Sequence, residues 1–354
     1  MTQKFEASGG CHGHAEEDAA RRVPGHNSAK AELMTDRERG KNKMILTVTA
    51  NASIDKRAVC TDFKVGEVNR IRECVYSAGG KGLNVSRAAH IAGEEILATG
   101  FLGGHAGKYI EESLVKEGIG ADFVWCDGES RSCMNIWNET THEQTEFLEP
   151  GLTCRPEDEE ALVEKISKLL DRASVMTISG SCPKGSGAGL YHRLLKAGVQ
   201  KGKKVLLDTS GKLLTDSLAG EEKPFLIKPN MDEIRMISGK EINSVDDIEK
   251  AADVLHEQGI KYVVISMGGD GSVMSGEEGL YRAAVPKIDA VNTVGCGDSM
   301  IGGFAVGISR GLSMPECLKL ASAISAAAAM TDRTGFFRME DMEAIKDQIR
   351  IEKI

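Results

Sequence analysis

Aromatic residues are scarce in this chain. Among 354 residues there are 2 Trp, 5 Tyr and 9 Phe, with only 8 Pro. Positive charge is not in surplus either. Lys and Arg number 44 against 53 Asp and Glu, a formal net charge of −9. A general nucleic-acid binder needs a basic surface, and for single strands it needs stacking rings, so no nucleic-acid partner is expected. Small anionic substrates remain open, because they need only a local positive site. No uncharged apolar run approaches the ~18–20 residues of a membrane span, and no membrane partner is expected. The nine Cys, at 11, 60, 74, 126, 133, 154, 182, 296 and 317, are odd in number and include no C-x-x-C pair. In a chain of this length they read as reduced thiols of a cytoplasmic protein, not as a disulfide framework. Few prolines and aperiodic glycines exclude collagen-like and low-complexity chains.

Glycine is abundant, with 40 residues against a usual share of ~7%. Residues 1–43 hold three of the eight His, eight Lys or Arg and seven Asp or Glu, and have no sustained hydrophobic period. No apolar stretch follows their charges, so they do not read as a secretory signal. They are expected to be a disordered extension, or the product of a start codon placed too early. Cys11, His12 and His14 offer metal-ligand chemistry, but no second cluster accompanies them, which favours a solvated tail.

From Met44 the pattern changes. Strands are predicted at 44–50, 96–102, 174–179, 204–208, 224–228 and 261–266. Helices are predicted near 82–93, 106–118, 157–170, 187–201, 231–238 and 246–259. Short apolar runs alternating with helices argue for a parallel sheet covered on both faces. Two strand-like stretches, 56–76 and 123–149, break the alternation and have no helix of their own, which suggests a small added β-layer. Consecutive helices are expected at 297–310, 314–331 and 339–349.

Two glycine turns lead directly into predicted helices. In Val294-Gly295-Cys296-Gly297-Asp298-Ser299, the glycines can adopt angles closed to other residues, and amides at a helix amino end point at an anion. Asp298 in the first turn could take a proton from a substrate hydroxyl, or could simply cap the helix. Cys296 admits a nucleophile reading, because a helix amino end lowers a thiol pKa. In Ser77-Ala78-Gly79-Gly80-Lys81-Gly82-Leu83-Asn84, the spacing is neither a Walker P-loop nor a dinucleotide fingerprint. Gly80 would admit a polyhydroxylated ligand, with Lys81 and Asn84 as polar contacts, unless the turn is purely structural.

Weaker pieces lie at predicted strand ends, where open α/β sheets bind ligands. Asp55 follows the first strand and could hold sugar hydroxyls. Lys228, Asn230 and Glu233 follow another, and the Asn and Glu share a helical face with oxygen ligands suited to hydrated Mg²⁺. Ser266, Gly268 and Gly271 belong to a glycine loop that suits a nucleotide. Arg131 and Lys184 are the cations expected to meet a substrate phosphate.

Residues 78–85 and 292–304 resemble the two signature motifs of the ribokinase-like pfkB carbohydrate kinase family. They stand in order, about 210 residues apart, and the resemblance covers 44–354. It implies a doubly wound, mostly parallel α/β sheet with helices on both faces. It also implies a small β-sheet lid near 56–76 and 123–149, through which members often form homodimers. It implies ATP as phosphoryl donor, with Mg²⁺. Asp298 would be the catalytic base, with Gly295, Cys296 and Gly297 as the anion hole. Asn230 and Glu233 would form the feature tied to Mg²⁺ and phosphate. Lys228, Asn230, Ser266, Gly268 and Gly271 would hold the nucleotide. Asp55, Gly80, Lys81, Asn84, Arg131, Ser181 and Lys184 would face the sugar phosphate. Cys296 departs from the family's usual Ala, a mild change if backbone amides form the hole. Residues 179–185 and 208–211 resemble the branch acting on phosphorylated ketohexoses. Residues 128–133 and 144–149 are closer to kinases of D-tagatose 6-phosphate than to those of D-fructose 1-phosphate. The latter usually carry Lys four residues after this Arg, where this chain has Asn135. A non-catalytic sugar-phosphate sensor and a ribose or nucleoside kinase are the other readings.

Overall fold

The computed structural model describes residues 44–354; Cys11, His12, His14 and the expected extension lie outside the described residues. The chain begins β1 (Met44–Thr49), β2 (Ser53–Cys60), β3 (Glu73–Gly79), α1 (Lys81–Ile91), β4 (Ile96–Leu102), α2 (Gly104–Lys116), β5 (Gly120–Ala121) and β6 (Val124–Trp125). It continues β7 (Arg131–Asn138), β8 (Glu143–Leu148), α3 (Pro156–Leu169), β9 (Ala173–Ser179), α4 (Ala188–Gln200), β10 (Lys204–Asp208), α5 (Gly211–Leu218) and β11 (Leu226–Ile227). It ends α6 (Met231–Ser238), α7 (Val245–Glu257), β12 (Tyr262–Ser266), β13 (Ser272–Gly276), β14 (Gly279–Ala284), α8 (Cys296–Arg310), α9 (Met314–Ala329), α10 (Met339–Gln348) and β15 (Arg350–Lys353).

The main sheet has the order β15-β14-β13-β12-β11-β10-β9-β1-β4-β5, with β6 also on β4. From β5 to β12 all pairs are parallel. From β12 to β15 they are antiparallel. Every residue of β1 is buried, because both faces are covered. Ile45 packs into a core with α1, α2, α8, α9 and α10. Leu46 and Val48 pack into a second core with α3 to α7. A strand buried on both faces reads as a continuous apolar run, which is why it was legible. Helix α8 is buried from Asp298 to Ser309. Gly303 lets α9 lie against it: a Cβ there would come within 2.5 Å of the Ala321 Cα.

Four strands form a separate sheet in the order β3-β2-β7-β8. Pairs β2–β3 and β7–β8 are antiparallel, and β2–β7 is parallel. Sequence reading missed α5 and the antiparallel edge β13–β15. The edge strands are short, and a single residue separates the last one from the helix before it. Among the described residues, no helix is long and apolar enough to cross a membrane.

Candidate active site

The carboxyl ends of the main-sheet strands and the small sheet enclose a cavity of about 560 Å³. Its wall carries Asp55, Gly80, Lys81, Asn84 and Arg131, together with Lys228, Asn230, Glu233, Ser266, Gly295, Gly297 and Asp298. Residues far apart in sequence thus meet because the sheet collects its strand ends on one edge.

Asp298 sits in the first turn of α8 and is 7% exposed. The Asn84 amide donates from Nδ2 to Asp298 Oδ2 at 2.8 Å. Burial, and then the Asp208 carboxylate, push the Asp298 carboxyl up to about 6, against the pull of Lys81, Asn84 and Lys228. A carboxyl at that value is still mostly ionised at neutral pH, yet basic enough to accept a proton. Gly295 caps the helix with φ 80°. A Cβ at Gly295 would overlap the Thr334 methyl, so position 295 needs glycine for space as well as for angle. The N–H groups of Gly295, Gly297 and Asp298 have no hydrogen-bond partner among the described residues. Unspent amides at a helix amino end form an anion cradle.

Cys296 lies outside the cavity wall, with its Sγ 3.8 Å from the Asn292 carbonyl oxygen. Burial, and then Asp298, push its thiol up to about 11. It remains protonated at neutral pH, which removes the nucleophile reading.

Beside the cradle stand two ammonium groups. Lys228, 6% exposed, lies 3.7 Å from Asp208 Oδ1, and Lys81 lies 4.0 Å from Asp208 Oδ2. Asp208 chiefly raises the Lys81 pKa and keeps it charged. Asp208 itself is 3% exposed and lines the cavity. Its role was not foreseen, although it ends β10 and the strand-end rule that singled out Lys228 and Ser266 applies equally to it.

Asn230 and Glu233 form a capping box at the start of α6. Asn230 Oδ1 accepts from the Asp232 and Glu233 amides at 2.9 and 2.8 Å, and Glu233 Oε2 accepts from the Asn230 amide at 2.8 Å. Asn230 thus spends its oxygen on the helix, which leaves Glu233 as the freer of the two residues expected near Mg²⁺. Glu233 keeps Oε1 unspent near Lys81. No cluster of three or more metal-ligating side chains occurs among the described residues. One carboxylate oxygen near a phosphate cradle suits Mg²⁺, which keeps most of its waters.

On the small-sheet wall, Asp55 accepts from Ser53 Oγ at 2.6 Å, and burial raises its pKa above the usual value despite Arg131. Arg131 Nε donates to the Asn51 carbonyl at 3.2 Å. Arg57 and Asn135 are paired in register on β2 and β7. Arg57 Nε and Asn135 Oδ1 are buried without a hydrogen-bond partner. Arg57 also lies 3.9 Å from Asp332 across the cavity mouth.

Besides Cys296, four expected residues are not on the wall. Ser181 is exposed and accepts from Asn51 Nδ2 at 3.3 Å. Lys184 is exposed, and its backbone is tied to Leu152 and Cys154. Gly268 and Gly271 belong to a 3-10 turn beyond Ser266.

The profile described as pfkB family carbohydrate kinase matches residues 45–340. The chain belongs to this family. A Staphylococcus epidermidis protein named tagatose-6-phosphate kinase is 35% identical over 309 residues, covering 87% of this chain and 99% of that one. The fold superposes on phosphofructokinase-2 from Escherichia coli in complex with substrates and products, with TM-score 0.80, 26% identity, and 87% and 99% of the two chains covered. It also superposes on a Thermotoga maritima protein described as a possible 1-phosphofructokinase, with TM-score 0.79, 28% identity, and 88% and 99% covered. The chain is therefore a carbohydrate kinase of ribokinase-like fold, a phosphotransferase with an alcohol acceptor, using ATP and Mg²⁺.

Proposed function

We propose that this kinase phosphorylates a ketohexose monophosphate, converting D-tagatose 6-phosphate into D-tagatose 1,6-bisphosphate. The observation that carries this reading is the buried Asp298 carboxylate at the amino end of α8, one oxygen held by Asn84 and the other unspent. Asp298 takes the proton of the acceptor hydroxyl as that oxygen bonds to the γ-phosphorus. The bond from that phosphorus to the bridging oxygen breaks, and ADP leaves with the electron pair. The amides of Gly295, Gly297 and Asp298, with Lys81 and Lys228, receive the charge on the transferring group. Glu233 Oε1 would hold Mg²⁺ through bound water, and the ion would supply positive charge to the ATP phosphates.

Lys228, Asn230 and Ser266 form the nucleotide end of the cavity. Asp55, Gly80, Lys81 and Asn84 form the sugar end. Arg131 and Arg57 take the substrate's own phosphate, a task that exposed Lys184 is not placed for. Residues 44–354 make one kinase domain, with the small sheet as a lid that excludes water from the transfer. Val65 and Val68, 91% and 86% exposed in the β2–β3 loop, and half-exposed Phe147 on β8 support a homodimer in which they are covered. Charged substrates that do not cross membranes support a cytoplasmic location.

The Thermotoga likeness favours a second reading, D-fructose 1-phosphate as substrate. An ADP-release assay on both sugars separates the two. The expected outcome is a kcat/KM at least tenfold higher for tagatose 6-phosphate, about 1.4 kcal/mol of transition-state preference. A reversed ratio establishes the second reading, and ATP binding with no turnover of either sugar establishes a sensor.

A further inference from the structure

One buried cation at the cavity has no part in this chemistry. Arg87, one helical turn after Asn84 on α1, is 3% exposed. Its guanidinium reaches four segments. Nε donates to Glu117 Oε2 at 2.8 Å, at the carboxyl end of α2. Nη1 donates to Asn84 Oδ1 at 3.3 Å and to the Thr334 carbonyl at 3.1 Å. Nη2 donates to the Ala78 carbonyl at 2.8 Å, at the end of β3. A buried guanidinium is unfavourable unless its donors are spent, and here three of its four hydrogen bonds end on segments that line the cavity, while the fourth anchors it to Glu117 outside.

We propose that Arg87 is a positioning residue for phosphoryl transfer: it fixes the Asn84 amide so that Nδ2 faces Asp298, and so aims the Asp298 carboxylate. The two ends of an amide have nearly the same shape, so the neighbours decide which way it points. A guanidinium has only donors, and an ionised carboxylate has only acceptors. With Oδ1 toward Arg87, Nδ2 must face Asp298. The reverse orientation would set donor against donor and acceptor against acceptor. Arg87 also holds the Thr334 carbonyl, and the Thr334 methyl packs on Gly295 at the amino end of α8. One side chain thus steadies both the base and the turn beneath the anion cradle. The inference rests on the reading of Asp298 as the base.

The test is a double-mutant cycle on turnover of tagatose 6-phosphate by the full chain, with Arg87→Lys, Asn84→Ala and the double variant. A lysine keeps the charge but cannot serve the amide and two carbonyls together. Arg87→Lys is expected to lower kcat roughly tenfold, with the KM for ATP within about twofold of the parent. The double variant is expected to be no slower than Asn84→Ala alone, because residues acting through one contact are not additive. Losses that multiply in the double variant would overturn the proposal, as would an unchanged kcat in Arg87→Lys. If Arg87→Lys does not fold, Glu117→Gln replaces it. That change loosens the guanidinium from outside the cavity, and the same non-additivity with Asn84→Ala is expected. Asp298→Asn run alongside separates the two levels. Near-normal turnover in that variant removes the base itself, whereas its inactivity with additive Arg87 losses removes only the positioning role.

Discussion

The two walls of the cavity are built differently. On the main-sheet wall the charges hold one another: buried Asp208 lies between half-exposed Lys81 and buried Lys228, and Asn84 pins buried Asp298. On the small-sheet wall, Arg57 Nε and Asn135 Oδ1 are buried with no partner. Groups that satisfy one another are fixed before any ligand arrives, which is what electrostatic preorganisation requires. Buried groups left without partners are not fixed in this way, and a ligand whose binding pairs them is favoured over one that does not. On the proposed reading, the first wall carries the chemistry and the second chooses the sugar.

Substitutions can break this division, beginning with the largest effect. Asp298→Asn is expected to lower kcat by about 10²–10⁴-fold with little change in the KM for sugar, measured by steady-state kinetics. Near-normal turnover would deny the main-sheet wall its chemical role. Lys228→Met leaves the buried Asp208 carboxylate with Lys81 alone and is expected to lose about 3 kcal/mol of stability in a urea titration. A loss under 1 kcal/mol would show that this wall is not held by its ion pairs. Arg57→Gln is expected to raise the KM for the sugar phosphate by roughly tenfold or more, as for a lost hydrogen bond to a charged group, while the KM for ATP stays put. An unchanged KM would take the phosphate away from the small-sheet wall.

pH acts on the main-sheet wall through Asp298, whose carboxyl is pushed up to about 6. The base must be ionised, so kcat/KM is expected to fall as pH drops through about 6. Stability runs the other way. Between the ordinary carboxyl value and about 6 the folded chain binds the extra proton, so stability falls as pH rises through that window. Asp298→Asn removes this burden and is expected to melt a few degrees above the parent at pH 7 by calorimetry, a trade of stability for activity. The smallest effect is expected from Asn135→Lys. A few-fold shift of the kcat/KM ratio toward fructose 1-phosphate, read in the two-sugar assay, would tie substrate choice to the β2–β7 row. No shift would place that choice elsewhere.

Much of the frame was legible in the sequence. Strands such as β1 and β12 are short apolar runs, and buried parallel strands leave that signature. The turn 294–298 was legible because glycine, anion-seeking amides and a first-turn carboxylate are local chemistry. The edge β13–β15 was not, because its strands are short and carry no period of their own, and β15 pairs with β14 across about 70 residues. Asn230 and Glu233 were legible as a pair, but two readings shared the spacing. A capping box and a metal feature both need oxygen atoms three residues apart, and only the hydrogen bonds show that Asn230 is spent on the helix.

The local sequence by itself determined the two glycine turns, the helices they open, the alternation that builds a parallel sheet, and the acid placed first in α8. These depend on neighbours within a few residues, where backbone sterics and periodicity act. Tertiary structure alone decided which distant groups touch. Asn84 meets Asp298 across 214 positions, and Arg87 reaches Thr334 across 247. Asp208 is held between lysines from two other segments, while Lys184 is left outside the wall. A carboxylate becomes a base through its burial and its charged neighbours, and those are set where the chain folds back on itself.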